Sequence, residues 1–262
     1  MTSPPGQWGD LRTRLLSGGT VAVVGLTLMW LGGLWFQALC ALAAGVMIWE
    51  LARMLGGGGA ALPLAALSGA VVFAAGFLPP GYVLPLLLLP ALAGLPRLGM
   101  NRAIYAGFTV MIILAAFGLI VLRSDHGFVW LAWLVLIVMA SDVFGYFAGR
   151  SIGGPKFWPR ISPKKTWAGT VAGWVGGALV GWAFMSATDA GPQIIAISVA
   201  VAMAGQLGDI AESAVKRKAG IKDSSNLIPG HGGLFDRFDA LLGASVFLLI
   251  VGQIIDFPPV QV

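Results

Sequence analysis

An all-α, polytopic integral membrane protein is what this sequence predicts: about nine transmembrane helices, N-terminus inside and C-terminus outside, with two charged cytoplasmic loops. Three observations lead there. Charged residues are only 10% of the 262 and hydrophobic ones 58%, whereas soluble domains carry roughly 25% charge. Apolar runs of about 17–25 residues, the length that crosses a hydrocarbon core, recur along the whole chain. These runs do not alternate polar and apolar residues, as the strands of a membrane barrel would.

The first span is expected at 16–32, behind a short N-terminal segment carrying Asp10, Arg12 and Arg14. The acidic residue ahead of the run, and the lack of a clear small-x-small site behind it, make this a retained anchor rather than a cleaved signal. Gly32-Gly33 divides it from a span at 34–54, and the tetraglycine Gly56–Gly59 divides that from 60–79. Pro79-Pro80-Gly81 turns the chain into 82–97, and 103–122 follows. These helices form an N-terminal region, residues 1–126, read as scaffold and lipid access. The C-terminal region, 127–262, is read as catalytic and holds spans at 127–148, 167–187, 193–213 and 236–256.

Orientation follows from the basic residues. With the N-terminus inside, fifteen of the sixteen fall on the inner side and only Arg123 outside, the asymmetry expected of cytoplasmic loops. An even number of spans would break that alternation. Topology therefore explains the net charge of +5 better than nucleic-acid binding, for which no basic, aromatic-interleaved segment exists. The single cysteine, Cys40, excludes an intrachain disulfide and a CxxC metal site. Gly169, Gly173, Gly177 and Gly181 repeat every four residues and line one helix face. In lipid such a ridge serves close helix packing, within a monomer or across a homodimer.

Charge reappears in two inner loops. Ser213–Asp239 with Glu212 just before it carries five of the sixteen basic residues between two apolar spans, which makes a functional site the default reading. Asp209, Glu212, Ser213 and Lys216, at offsets of 0, 3, 4 and 7, share a helix face. Asp209 lies well inside an apolar stretch, so it must be neutralised, metal-bound or paired, with Lys216 or Arg217 as local partners. Asp236 and Asp239 open the next helix on one face, where carboxylates also suit the helix dipole. If two helices bring Asp209 and Asp236 together, their hard oxygens suit Mg²⁺, with waters and substrate phosphates completing the shell. Between them, the Pro229–Gly233 turn could offer backbone N–H groups to a phosphate, and His231 either donates to that phosphate or fastens the turn. The other loop, 149–166, contains S-P-K-K-T: Ser162, Lys164, Lys165 and Thr166 just before a helix start can contact a polyphosphate. Asp142, near the inner end of 127–148, pairs with Arg150 or contacts nucleotide or metal.

These residues resemble the phosphatidate cytidylyltransferase (CDP-diacylglycerol synthase) family. The resemblance rests on Ser213, Lys216, Arg217, Lys222, Asp223, Pro229, His231, Gly232, Gly233, Asp236, Arg237 and Asp239. Upstream, D-V-F-G-Y-F-A-G-R (Asp142–Arg150) and S-P-K-K-T-W (Ser162–Trp167) follow the family in the right order. It covers residues 142–239; the first six spans are similar in hydropathy alone. One departure stands out: Ala168 occupies the position where the family usually has glutamate.

The resemblance implies a Mg²⁺-dependent enzyme of phospholipid biosynthesis that joins CTP and phosphatidic acid into CDP-diacylglycerol and pyrophosphate. Its setting would be a bacterial-type inner membrane, with the active site facing the cytoplasm and the lipid substrate remaining in the bilayer. It makes Asp209 and Asp236 metal ligands, with Asp223 or Asp239 available for a second cation. Ser162, Lys164, Lys165 and Thr166 would grip the triphosphate. Lys216, Arg217, Lys222 and Arg237 would steady the lipid phosphate or the leaving pyrophosphate. Two rivals share features with this reading: an ion-coupled carrier, which also has intramembrane carboxylates, and a CTP-dependent kinase of a polyisoprenoid lipid.

Overall fold

The structure, a computed structural model, describes residues 7–259, with side chains from 17 to 79 and from 82 to 259. The side chains of Asp10, Arg12 and Arg14, on which the retained-anchor and orientation readings partly rest, lie outside the described residues. Nine α-helices and one two-stranded hairpin occur among the described residues: α1 (Gln7–Leu31), α2 (Gly33–Met54), α3 (Gly58–Ala75), α4 (Pro80–Gly94), α5 (Arg102–Asp125), α6 (Gly127–Ser151), α7 (Trp167–Ala187), α8 (Gln193–Lys218) and α9 (Phe235–Val251). Each coincides with one expected apolar run. Six helical stretches are long and apolar enough to cross a membrane, namely α2, α3, α5 with the turn before it, α6, α7 and α8. The protein is thus a helical, polytopic integral membrane protein.

Departures from the expected boundaries have local causes. Helix α3 stops at Ala75, ahead of Gly76 and the Pro79-Pro80 pair, where a missing N–H and ring sterics end helical hydrogen bonding. Helix α8 runs past its apolar stretch to Lys218, because Lys216, Arg217 and Lys218 sit at the negative end of its dipole. The polar connection expected at 149–166 is not wholly irregular. Strand β1 (Lys156–Trp158) pairs antiparallel with β2 (Ser162–Thr166), Lys156 opposite Thr166.

The chain divides into two compact units. The first comprises residues up to Val110 together with Ala219–Phe238. In it α2 packs on α3, and α3 on α4, around the fully buried Ile48, Leu51, Val72 and Tyr105. The second comprises Met111–Lys218 and the residues from Asp239 onward. In it α7 packs against both α6 and α8, around Trp133, Leu134, Ile137 and Ile194, and the Trp133 indole donates to Ser198 Oγ at 3.0 Å. The glycine ridge is used inside this unit: all four glycines are buried. A Cβ on Gly173 would stand 2.4 Å from Gln206 Nε2 and 2.7 Å from Ser141 Oγ.

Candidate active site

In the second unit the hairpin delivers its last residue directly into a helix. Thr166 ends β2 and N-caps α7, its hydroxyl accepting from Gly169 N at 3.1 Å. Trp167 N donates to Pro155 O at 3.0 Å. Thr166 is buried and its hydroxyl caps the helix, while Lys164 is exposed and Lys165 half-buried.

Lys165 reaches across to α8. Its Nζ lies 2.6 Å from Asp209 Oδ2 and donates to Gln206 O at 3.4 Å. Asp209 Oδ1 accepts from Ser213 Oγ at 3.4 Å. A counter-charge for Asp209 thus comes from a strand 44 residues away in sequence. Lys216 instead pairs with Glu212 one turn back, at 2.6 Å. Lys165 and Asp209 line a cavity of about 360 Å³ together with Asp142, Arg150, Ser162 and Lys164. Arg150 donates to the Tyr146 hydroxyl at 2.8 Å, so that hydroxyl holds the guanidinium at the cavity's edge. Asp142 of α6 and Asp239 of α9 are near enough to Asp209 for their charges to interact.

A buried amide lines the same cavity. Gln206 donates from Nε2 to Ser141 Oγ (3.2 Å) and Thr170 O (3.1 Å), and its Oε1 accepts from Trp174 Nε1 at 3.0 Å. One side chain of α8 is thereby tied to α6 and twice to α7. Sequence reading did not single out Gln206; a lone amide in an apolar run one turn before Asp209 was the available signal.

Arg217 stands exposed in the last turn of α8, in the second unit, and the remaining candidates lie in the first. Gly230 and Gly232 have φ of 76° and 87°, and Ile228 N donates to Gly232 O at 2.8 Å to close the turn. His231 N and Gly232 N both donate back to Ile228 O. Asp236 Oδ2 accepts from Ser224 N, Ser224 Oγ and Gly233 N, each at 2.8 Å. Three amides of the turn, those of His231, Gly232 and Gly233, are therefore engaged within the loop. Arg237 grips the same turn, donating through Nε (2.9 Å) and Nη2 to His231 O. His231 Nδ1 lies 3.2 Å from Ser17 Oγ, a contact that fastens the turn. Lys222 and Asp223 are exposed.

A hard divalent cation fits the chemistry of these donors. Asp209 presents a carboxylate to the cavity with one third of its side chain exposed, and Asp236 is oriented through Oδ2. Among the described residues no group of three or more His, Cys, Asp or Glu side chains is assembled to hold a metal. Magnesium commonly uses one or two carboxylates, waters and substrate phosphates instead.

Cations, hydroxyls and carboxylates thus line one cavity among the apolar helices of a membrane protein. The chain matches the model of the cytidylyltransferase family over residues 12–255, and it belongs to that family of nucleotidyl-transferring enzymes. It is 34% identical to a phosphatidate cytidylyltransferase of Brucella abortus biovar 1 (strain 9-941) over 96% of each chain. It is 30% identical to the protein of that name from Bacillus subtilis (strain 168), over 91% of this chain and 96% of the relative. A Haemophilus influenzae protein of the same name is 40% identical over 47% of this chain and 45% of its own.

Proposed function

We propose that this chain transfers the cytidylyl group of CTP to phosphatidic acid, giving CDP-diacylglycerol and pyrophosphate, at the cytoplasmic side of a bacterial inner membrane. The observation that carries the reading is near-full-length similarity to proteins named phosphatidate cytidylyltransferase. The cavity lined by Lys164, Lys165, Ser162 and Asp209 supports it, since it brings cations and hydroxyls to a site a triphosphate can enter. The inward distribution of basic residues supports nine spans with the N-terminus inside.

In this mechanism an oxygen of the lipid phosphate monoester attacks the α-phosphorus of CTP. A new P–O bond forms, the bond from the α-phosphorus to the α,β-bridging oxygen breaks, and pyrophosphate leaves with that electron pair. The nucleophile is already ionised near neutral pH, so no general base is needed. Catalysis is positioning plus neutralisation of phosphate charge. Lys164, Lys165 and Ser162 bind the triphosphate; Lys216, Arg217, Lys222 and Arg237 steady the lipid phosphate or pyrophosphate. Asp209 and Asp236 are the proposed holders of Mg²⁺, with Asp223 or Asp239 serving a second cation. The metal, when bound, would neutralise phosphate charge and make the α-phosphorus more electrophilic.

The test is purified protein with phosphatidic acid, Mg²⁺ and CTP labelled at the α-phosphorus. Label is expected in the lipid product, and chelator should abolish its appearance. Label confined to released CDP would instead identify a kinase and sink the proposal.

A further inference from the structure

Glu50 is the sole acidic residue between Asp10 and Asp125. It sits in α2, fully buried, in a region read from sequence as mere scaffold. A carboxylate removed from water is costly unless strong donors surround it. Its donors come from the loop that leads into α9. Ser225 Oγ (2.5 Å) and Leu234 N (2.9 Å) donate to Oε1, and Phe235 N (2.7 Å) donates to Oε2.

Those contacts have a definite purpose in helix chemistry. Leu234 and Phe235 form the entry to α9, where the first N–H groups lack intrahelical acceptors and the dipole favours negative charge. Glu50 supplies both from a separate helix, in place of an ordinary capping side chain. The three consecutive amides Gly233, Leu234 and Phe235 are divided between two carboxylates: Asp236 takes the first and Glu50 the other two. Gly233 itself sits where a Cβ would lie 2.0 Å from Ser224 Oγ and 2.4 Å from Glu50 Oε1. Only glycine fits between the two carboxylate-bound segments.

We propose that Glu50 is a positioning residue for the reaction: by capping α9 from α2 it fixes the 224–235 loop and the orientation of Asp236, without touching substrate. The activity arm of this inference rests on the cytidylyl-transfer reading above; the structural arm does not. Glu50→Gln keeps the size but turns one acceptor into a donor that faces donors, so it isolates the capping chemistry.

The experiment compares full-length wild type, Glu50→Gln and Glu50→Asp in detergent by amide hydrogen exchange and by steady-state kinetics. In Glu50→Gln the amides of the 224–236 segment should exchange at least about tenfold faster while those of α3 stay unchanged. kcat should fall about 10–100-fold with KM for CTP within about threefold of wild type. Glu50→Asp, which keeps the charge on a shorter arm, should lie between, and it carries the comparison if Glu50→Gln fails to fold. Unchanged exchange in 224–236 would overturn the proposal, and so would faster exchange with wild-type kcat. Wild-type protein that forms no labelled lipid would refute the preceding reading instead, and the exchange arm would still decide whether Glu50 holds the loop.

Discussion

Replacing Lys165 with alanine should raise the apparent KM for CTP by about 10–100-fold, with a smaller effect on kcat. The size follows from the ion pair. Lys165 Nζ lies 2.6 Å from Asp209 Oδ2, with the two side chains 19% and 33% exposed. A fully exposed pair contributes about 0–1 kcal/mol, and breaking a buried one costs about 3–5 kcal/mol. This partly shielded ammonium belongs between them, in the range of about 1.5–3 kcal/mol for hydrogen bonds to charged groups. A phosphate oxygen that replaced Asp209 as its partner would experience a similar interaction. At about 1.4 kcal/mol per decade of affinity, its loss gives the stated range. Losing the ammonium also leaves the Asp209 charge facing an incoming polyphosphate, which pushes KM the same way. Lys164, exposed one residue earlier, is better screened, and Lys164→Ala should change KM by less than about threefold. Initial rates at saturating phosphatidic acid and varied CTP measure both. Equal effects at the two lysines, or a Lys165→Ala KM within twofold of wild type, would refute the reasoning.

Other outcomes follow from neighbouring contacts. Asp209→Asn should abolish CDP-diacylglycerol formation while leaving the detergent melting temperature near wild type; retained turnover would remove the metal assignment. Gly173→Ala forces a methyl to 2.4 Å from Gln206 Nε2 and should destabilise by about 1–3 kcal/mol. Gly25→Ala, with nothing within 4 Å, should be neutral or stabilise by up to about 1 kcal/mol, and thermal melts would separate the two. Thr166→Val deletes the cap on α7 and leaves Gly169 N–H without its 3.1 Å acceptor; a loss of about 1–2 kcal/mol is expected in the same melts.

The helices were legible because a bilayer demands unbroken apolar length, and that demand is written locally in composition. The hairpin was not, since Lys156–Trp158 and Ser162–Thr166 are too short and too polar to show a strand's alternation. Asp209 was recognisable as a charge needing a partner, yet its partner was sought one or two helical turns away. The ion pair with Lys165 spans 44 residues, and no periodicity encodes such a separation. Glu50 was missed for a different reason. The rule that singled out Asp209, an ionisable group inside an apolar helix, applies to it equally, but no cluster of motif residues surrounded it in sequence.

The threefold anchoring of Gln206 bears on how far the cavity wall can deform. Because one amide of α8 is hydrogen-bonded to both α6 and α7 where it lines the cavity, that wall cannot yield to a bulkier guest without breaking hydrogen bonds on two neighbouring helices.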